Sequence, residues 1–157
     1  MPPKRKKTFG KKILQRARIP LKKIKRAKNR IARKLRGNSM TLARLNSELK
    51  HIEQSALSRK HSVKKPLLEA LNVIYKKKPC TPKELDALLK DLKKIAVSCA
   101  NEILNIKRIS GPLKLHAKIG NIPLGKEKKL ESISAELRET YELAEKYWGT
   151  LSEFHTP

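Results

Sequence analysis

The sequence predicts an all-α protein, a small bundle of four or five helices with a highly basic N-terminal arm. Apolar residues recur at helical spacings of three and four, and no useful stretch alternates apolar and polar residues as a half-buried strand would. Basic charge is concentrated at one end, since residues 1–36 contain seventeen Lys and Arg and no Asp or Glu. We therefore divide the chain into a basic arm, residues 1–36, and a helical domain, residues 38–157.

The charge of the arm predicts a polyanionic partner. Residues 37–79 carry a net charge of +6 and residues 80–157 a net charge of +2, so the rest of the chain is far less basic. Such a density of like charge repels itself unless an external polyanion neutralises it, and nucleic acid is the commonest one. The candidate phosphate-binding residues are all the basic residues of the arm: Lys4, Arg5, Lys6, Lys7, Lys11, Lys12, Arg16, Arg18, Lys22, Lys23, Lys25, Arg26, Lys28, Arg30, Arg33, Lys34 and Arg36.

The first residues also contain a candidate nuclear-targeting signal. The cluster Lys4, Arg5, Lys6, Lys7 follows two prolines, in the compact basic form that nuclear import receptors bind. Residues 11–36 are also basic, amphipathic and free of acidic residues, as mitochondrial presequences are, but the N-terminal segment is Lys-rich, has no Ser before Ser39 and opens with two prolines. We expect a nuclear location, with a ribosome-associated or a mitochondrial protein as alternatives.

The arm has the pattern of a conditional helix. From Pro20 to Gly37 the apolar residues share one face and cations cover the rest, so the helix should form when phosphates neutralise it and otherwise be partly disordered. The apolar spacing continues in phase from Leu14 to Ala56. It fits either one long coiled-coil helix or two helices separated at Gly37, with Asn38 or Ser39 capping the second; we favour two.

Within this stretch, Asn29 to Arg36 resembles a bZIP basic region in its Asn and in an Ala three residues on. The final Arg lies one position early and Gly37 interrupts the junction, so no family assignment follows.

The domain is expected to contain helices at about 40–59, 66–78, 82–109 and 126–148. The clearest start is the capping box Thr81-Pro82-Lys83-Glu84, which opens the expected spine of the core. Ser110-Gly111-Pro112 should end that helix, leaving a long loop over residues 110–125. Four of the six aromatic residues lie in the last seventeen residues: Tyr141, Tyr147, Trp148 and Phe154. They either close the core or form an exposed docking patch.

Nothing in the sequence indicates catalysis. Cys80 and Cys99 match no disulfide or zinc spacing, the four histidines are scattered, and no nucleophile accompanies a base. We predict no enzymatic activity, no cofactor and no metal. No apolar run is long enough to cross a bilayer, so we expect no membrane contact.

The expected function is therefore that of a non-enzymatic structural protein that binds nucleic acid. DNA is favoured over RNA, in chromatin or in viral genome packaging, while the helical domain contacts proteins. Lys outnumbers Arg twenty-eight to eleven, which favours point-charge contacts with little sequence selectivity. The alternatives are a component of a ribosome or other RNA–protein particle and a basic coiled-coil transcription factor. A nuclear import receptor, a helical protein or a second copy of the chain are the expected protein partners.

Overall fold

Three long helices form the described part of the protein. The computed structural model describes residues 26, 29–30 and 40–154, and within 40–154 it contains no strand. The helices are α1 (Leu42–Ile74), α2 (Pro82–Lys118) and α3 (Leu124–Glu153). The prediction of an all-helical fold is confirmed for the described residues, but residues 40–154 form three helices where four were expected, because the predicted break between residues 59 and 66 is absent.

The order of ion pairs shows how the helices run. Arg108 of α2 pairs with Glu48 near the start of α1, and Glu102 pairs with Arg59 eleven residues further along α1. These two helices are therefore antiparallel. Lys126 at the start of α3 pairs with Glu53, and Glu136, ten residues further along α3, pairs with Lys60 of α1, so α3 runs parallel to α1. Each helix contacts the other two, which gives an up-down-up bundle.

Helix α1 begins anew at Leu42. Met40 and Thr41 are not helical, and the Thr41 hydroxyl accepts a hydrogen bond of 3.3 Å from the amide of Arg44. Such a cap satisfies one of the donors that a helix start leaves free. The alternative of one uninterrupted helix through residue 56 is thereby wrong, and the cap is Thr41 where Asn38 or Ser39 was expected.

The predicted break between residues 59 and 66 is also wrong, because α1 continues through Pro66 to Ile74. Proline removes one backbone donor and leaves the carbonyl of Ser62 without its helical partner. Ser62 is exposed, whereas Ala70, one turn beyond the proline, is fully buried. Burial of the stripe on both sides of Pro66 therefore keeps the helix intact.

Helix α2 opens as predicted and ends later. The amide of Thr81 donates to Glu84 over 2.8 Å and the amide of Glu84 donates back to Thr81 over 3.3 Å, which confirms the capping box. The predicted stop at Ser110-Gly111-Pro112 is wrong, since the helix runs to Lys118. Ile109 and Leu113 on either side of this tripeptide are 0% and 1% exposed. Their packing outweighs the missing hydrogen bond, and the long loop shrinks to residues 119–123.

The two turns use the same C-terminal motif. After α1, the amide of Lys77 donates to the carbonyl of Asn72; after α2, the amide of Asn121 donates to the carbonyl of His116. Both bonds span five residues and need a left-handed residue between them, as in a Schellman motif. That residue is Gly120 after α2, with φ 78°, but Lys76 after α1, with φ 54°.

The core consists of two apolar clusters. The larger one joins all three helices and includes Leu45, Ile109, Leu113 and Leu137. The smaller one lies toward the α1–α2 turn around Leu92 and includes Leu151 of α3. The expectation that the C-terminal aromatics close the core holds only in part. Tyr141 and Tyr147 pack against these clusters, whereas Trp148 and Phe154 are 43% and 55% exposed.

Candidate nucleic-acid interface

The structure describes two of the predicted phosphate-binding residues. Arg26 and Arg30 have helical backbone and exposed side chains, so both guanidinium groups are accessible to a polyanion. The others lie outside the described residues, including the targeting cluster: Lys4, Arg5, Lys6, Lys7, Lys11, Lys12, Arg16, Arg18, Lys22, Lys23, Lys25, Lys28, Arg33, Lys34 and Arg36.

The arm joins the bundle at the end where α1 and α3 begin and α2 ends. The two nearest cations of α3 are occupied there, because Lys126 and Lys129 lie 2.8 Å and 3.4 Å from the carboxylate of Glu53. The hydrogen bond from Lys126 is the main cause that lowers the pKa of Glu53, against the opposing effect of burial. Exposed cations at this end that no ion pair joins to a described residue are Arg44, Lys114, Lys118 and Lys128.

A second group of cations lies at the opposite end. Lys76, Lys77 and Lys78 form the exposed turn after α1, beside Tyr75, which is 67% exposed. The sequence predicted these lysines at the C-terminal end of a helix, but α1 ends at Ile74 and they lie beyond it. With 33 residues in α1 and a rise of about 1.5 Å per residue, the turn is about 50 Å from the start of α1.

The three helices differ in charge. Counted over their observed bounds, α1 carries a net charge of +3, α2 of +4 and α3 of −2. The bundle therefore has a basic α1–α2 side and a mildly acidic α3 side. A nucleic acid would approach the first side more favourably than the second.

A largely buried ion pair joins α1 to α2. The guanidinium of Arg59 contacts the carboxylate of Glu102, and their side chains are 12% and 11% exposed. Ser55 donates to the same carboxylate oxygen over 3.3 Å and accepts from Arg59 over 3.0 Å. Burial lowers the pKa of Arg59 and raises the pKa of the neighbouring Cys99 thiol. Cys99 is therefore held as an unreactive thiol, and the cluster has a structural character.

An open groove of about 720 Å³ lies beside this pair, between α1 and α2. Glu102 and Ser55 line it, as do Lys90, Lys93 and Lys94 of α2. The Oε1 atom of Glu102 is buried without a hydrogen-bond partner among the described residues. The three lysines give the groove a positive rim that the sequence did not single out. The sequence feature that could have identified this rim is the close spacing of the three lysines on the exposed side of one helix.

A second groove of about 560 Å³ lies between α2 and α3, and we call it the Trp148 groove. Its floor contains Leu92 and the small residues Ala96 and Ala100, and its rim contains Val97 and Trp148. Val97 is 53% exposed, so the rim presents apolar side chains to solvent. The sequence left open whether the C-terminal aromatics are exposed, and the structure places Trp148 at the surface.

Among the described residues, no three His, Cys, Asp or Glu side chains come together as a metal site. Over the same part of the chain, no helix has the length and apolar character needed to cross a bilayer. Comparison with protein-family models, with curated proteins and with solved structures finds no match to this chain.

Proposed function

We propose that this chain is a non-enzymatic structural protein that binds nucleic acid through its N-terminal arm. The partner is DNA in chromatin or in a packaged viral genome, and the helical bundle provides protein contacts. The observation that carries the proposal is the charge balance. The arm has a charge of +17 and the remaining chain is itself positive by +8, so the rest of this chain has no net negative charge with which to neutralise the arm.

The described part of the bundle supports this division of roles. Three of its carboxylates are already occupied by its own cations, because Glu48, Glu53 and Glu102 each bond to an Arg or Lys of another helix, and the remaining acidic residues are fewer than the cations of the arm. Helix α3 is the only net acidic helix among the three, and its charge of −2 is small beside that of the arm. An external polyanion is the remaining counter-charge.

The mechanism is the release of counterions from the phosphate backbone. Each Lys or Arg that reaches a phosphate displaces a condensed cation, so affinity should fall steeply with salt. Because most cations of the arm are Lys, contacts should be point charges with little discrimination between bases. The exposed turn Lys76–Lys78 would add a second, weaker phosphate contact.

The test replaces charge in the full-length chain. We expect the fourfold variant Lys22→Gln, Lys23→Gln, Lys25→Gln, Arg26→Gln to bind duplex DNA more weakly. The slope of log affinity against log salt should fall by about 0.9 for each phosphate that the variant no longer neutralises. The matched control changes four exposed cations of the bundle, Lys50, Lys64, Lys83 and Lys146, to Gln. An arm variant that keeps the affinity and slope of the parent, or a control that weakens binding as much, would contradict the proposal.

Location and nucleic-acid type need their own measurements. Changing Lys4, Arg5, Lys6 and Lys7 to Ala should move a fluorescent fusion from the nucleus toward the cytoplasm. Recovery of the protein with ribosomes, abolished by RNase treatment, would instead identify a component of an RNA–protein particle.

A further inference from the structure

The surface formed by α2 and α3 continues beyond the Trp148 groove. A second depression of about 330 Å³ lies toward the other end of the same pair of helices, between Lys107 and Lys114 of α2 and Glu127 and Glu131 of α3. We call the two depressions together the α2–α3 face. It presents the exposed apolar side chains of Trp148 and Val97. We propose that two copies of this chain associate through the α2–α3 face about a two-fold axis parallel to the helices.

Charge is segregated across this face. The α2 wall carries three lysines and no carboxylate, and the α3 wall carries three glutamates and one cation, Arg138. The residues are Lys93, Lys107 and Lys114 on α2 and Glu127, Glu131 and Glu145 on α3. No ion pair among the described residues joins the two walls; Glu145 instead accepts a hydrogen bond from Tyr141. The walls therefore offer unpaired charges of opposite sign on either side of an apolar floor.

Symmetry decides how two such faces fit. A two-fold axis parallel to the helices places the α2 wall of one copy over the α3 wall of the other at the same height along the bundle. Lys93 of each copy then meets Glu145 of the other copy, twice in the dimer. An axis perpendicular to the helices would oppose α2 to α2 and bring like charges together, which is unfavourable. Charge complementarity therefore selects the parallel dimer.

The apolar spacing that fitted a coiled coil leaves no second surface for self-association among the described residues. Its part from Leu42 to Ala56 packs inside the bundle, where Leu45, Leu49, Ile52 and Ala56 are all buried. The exposed aromatic end of α3 is the remaining candidate, and it lies on the α2–α3 face.

The parallel arrangement has a consequence for the arms. Because the axis preserves direction along the bundle, both copies begin α1 at the same end of the dimer. Two arms would then leave side by side, and binding of the first to a polyanion would raise the effective concentration of the second. The dimer itself does not depend on nucleic-acid binding, so either proposal can fail alone.

The test uses two charge-reversal variants of the full chain, Lys93→Glu and Glu145→Lys, in sedimentation equilibrium. About 0.3 M NaCl screens the repulsion between the arms beyond about 6 Å while contact pairs persist. The wild type should reach twice the 18.0 kDa mass of one chain. Each variant alone should raise the dimer dissociation constant on the order of tenfold or more, because it opposes like charges twice.

Mixing the two variants gives the decisive result. In a mixed dimer the two substituted side chains meet with their charges exchanged, and the other contact is the native pair of Lys93 and Glu145. Both contacts then join opposite charges, so the mixture should dimerise within about threefold of the wild type. The controls Lys128→Glu and Glu139→Lys make the same charge changes outside both depressions and should leave the dimer unchanged. A wild type of monomer mass up to about 100 μM, or a mixture that stays monomeric, would overturn the proposal.

Discussion

Helix α1 is held to the bundle differently from the way α2 and α3 hold each other. Every ion pair that joins two of the described helices involves α1, through Glu48, Glu53, Arg59 or Lys60. Between α2 and α3 the contacts are apolar, with residues such as Leu113 and Leu130 at the interface. The α2–α3 hairpin therefore depends on burial alone, whereas the docking of α1 also depends on charge.

This difference between ion-paired and apolar interfaces matters because apolar packing does not determine the relative direction of two helices. Burial has no direction, so an apolar stripe tolerates a helix placed parallel or antiparallel. On α1 the acid Glu48 precedes the base Arg59, and on α2 the acid Glu102 precedes the base Arg108. The antiparallel arrangement pairs opposite charges, while a parallel one would bring carboxylate to carboxylate. These pairs therefore specify the direction and register of α1.

The largest effect should come from the apolar interior. Leu92 is fully buried in the smaller cluster, so Leu92→Ala should lower the free energy of unfolding by about 2–5 kcal/mol. Denaturant unfolding monitored by circular dichroism measures the decrease. The control Leu104→Ala removes the same atoms from a side chain that is 61% exposed, and should stay within about 0.5 kcal/mol. Equal small decreases would mean that α2 is not the core helix.

Breaking the buried ion pair should have the next largest effect. Arg59→Met leaves the Glu102 carboxylate buried without its partner, at a cost of about 3 kcal/mol. The double variant Arg59→Met, Glu102→Leu removes both charges and should recover most of that stability, because a well-packed apolar pair replaces a desolvated one. Denaturant unfolding of the two variants separates these effects. A single variant that costs under about 1 kcal/mol would show that the pair behaves as a solvated one.

Local patterns predicted the helical class and the starts of helices better than their ends. The capping box at Thr81 depends on residues within one turn and was therefore visible in the sequence. The continuation of α1 through Pro66 and of α2 through Pro112 depends on Ala70 and Leu113, which are buried by residues far away in the chain. Helix-breaking signals are local and burial is not, so over residues 40–154 the sequence predicted one helix more than the structure contains.

For the candidate site too, the features that depend on local sequence could be predicted and those that depend on packing could not. The seventeen cations of the arm follow from composition, and their proposed role does not depend on a fold. The α2–α3 face could not be foreseen, because Lys93 and Glu145 lie far apart in sequence and line one groove only when α2 packs on α3. Segregation of charge across a groove is a property of packing.

Acid should loosen α1 in particular. The pKa of Glu53 lies below its ordinary value of 4.5, mainly through the hydrogen bond from Lys126. This contribution is present above that value and disappears as the pH falls through the lowered pKa of the folded protein. The pairs are partly exposed, so Glu53→Gln should cost less than about 1 kcal/mol at pH 7 and reduce the decrease in stability as the pH falls below the ordinary value of 4.5. Glu139→Gln, at an exposed position without an ion pair in the described structure, should leave the profile unchanged in thermal unfolding.

The smallest effect should distinguish the two turns. Lys76 and Gly120 occupy the same left-handed position, but a side chain there costs about 1 kcal/mol. Lys76→Gly should therefore stabilise the protein by up to about 1 kcal/mol, and Gly120→Ala should destabilise it by about as much. No atom lies within 4 Å of a Cβ placed on Gly120, so that destabilisation would come from the backbone alone. Lys77→Gly is the control, because Lys77 has no positive φ and should gain nothing. Urea unfolding measures all three, and a Lys76→Gly variant no more stable than Lys77→Gly would show that the turn after α1 relaxes where the turn after α2 does not.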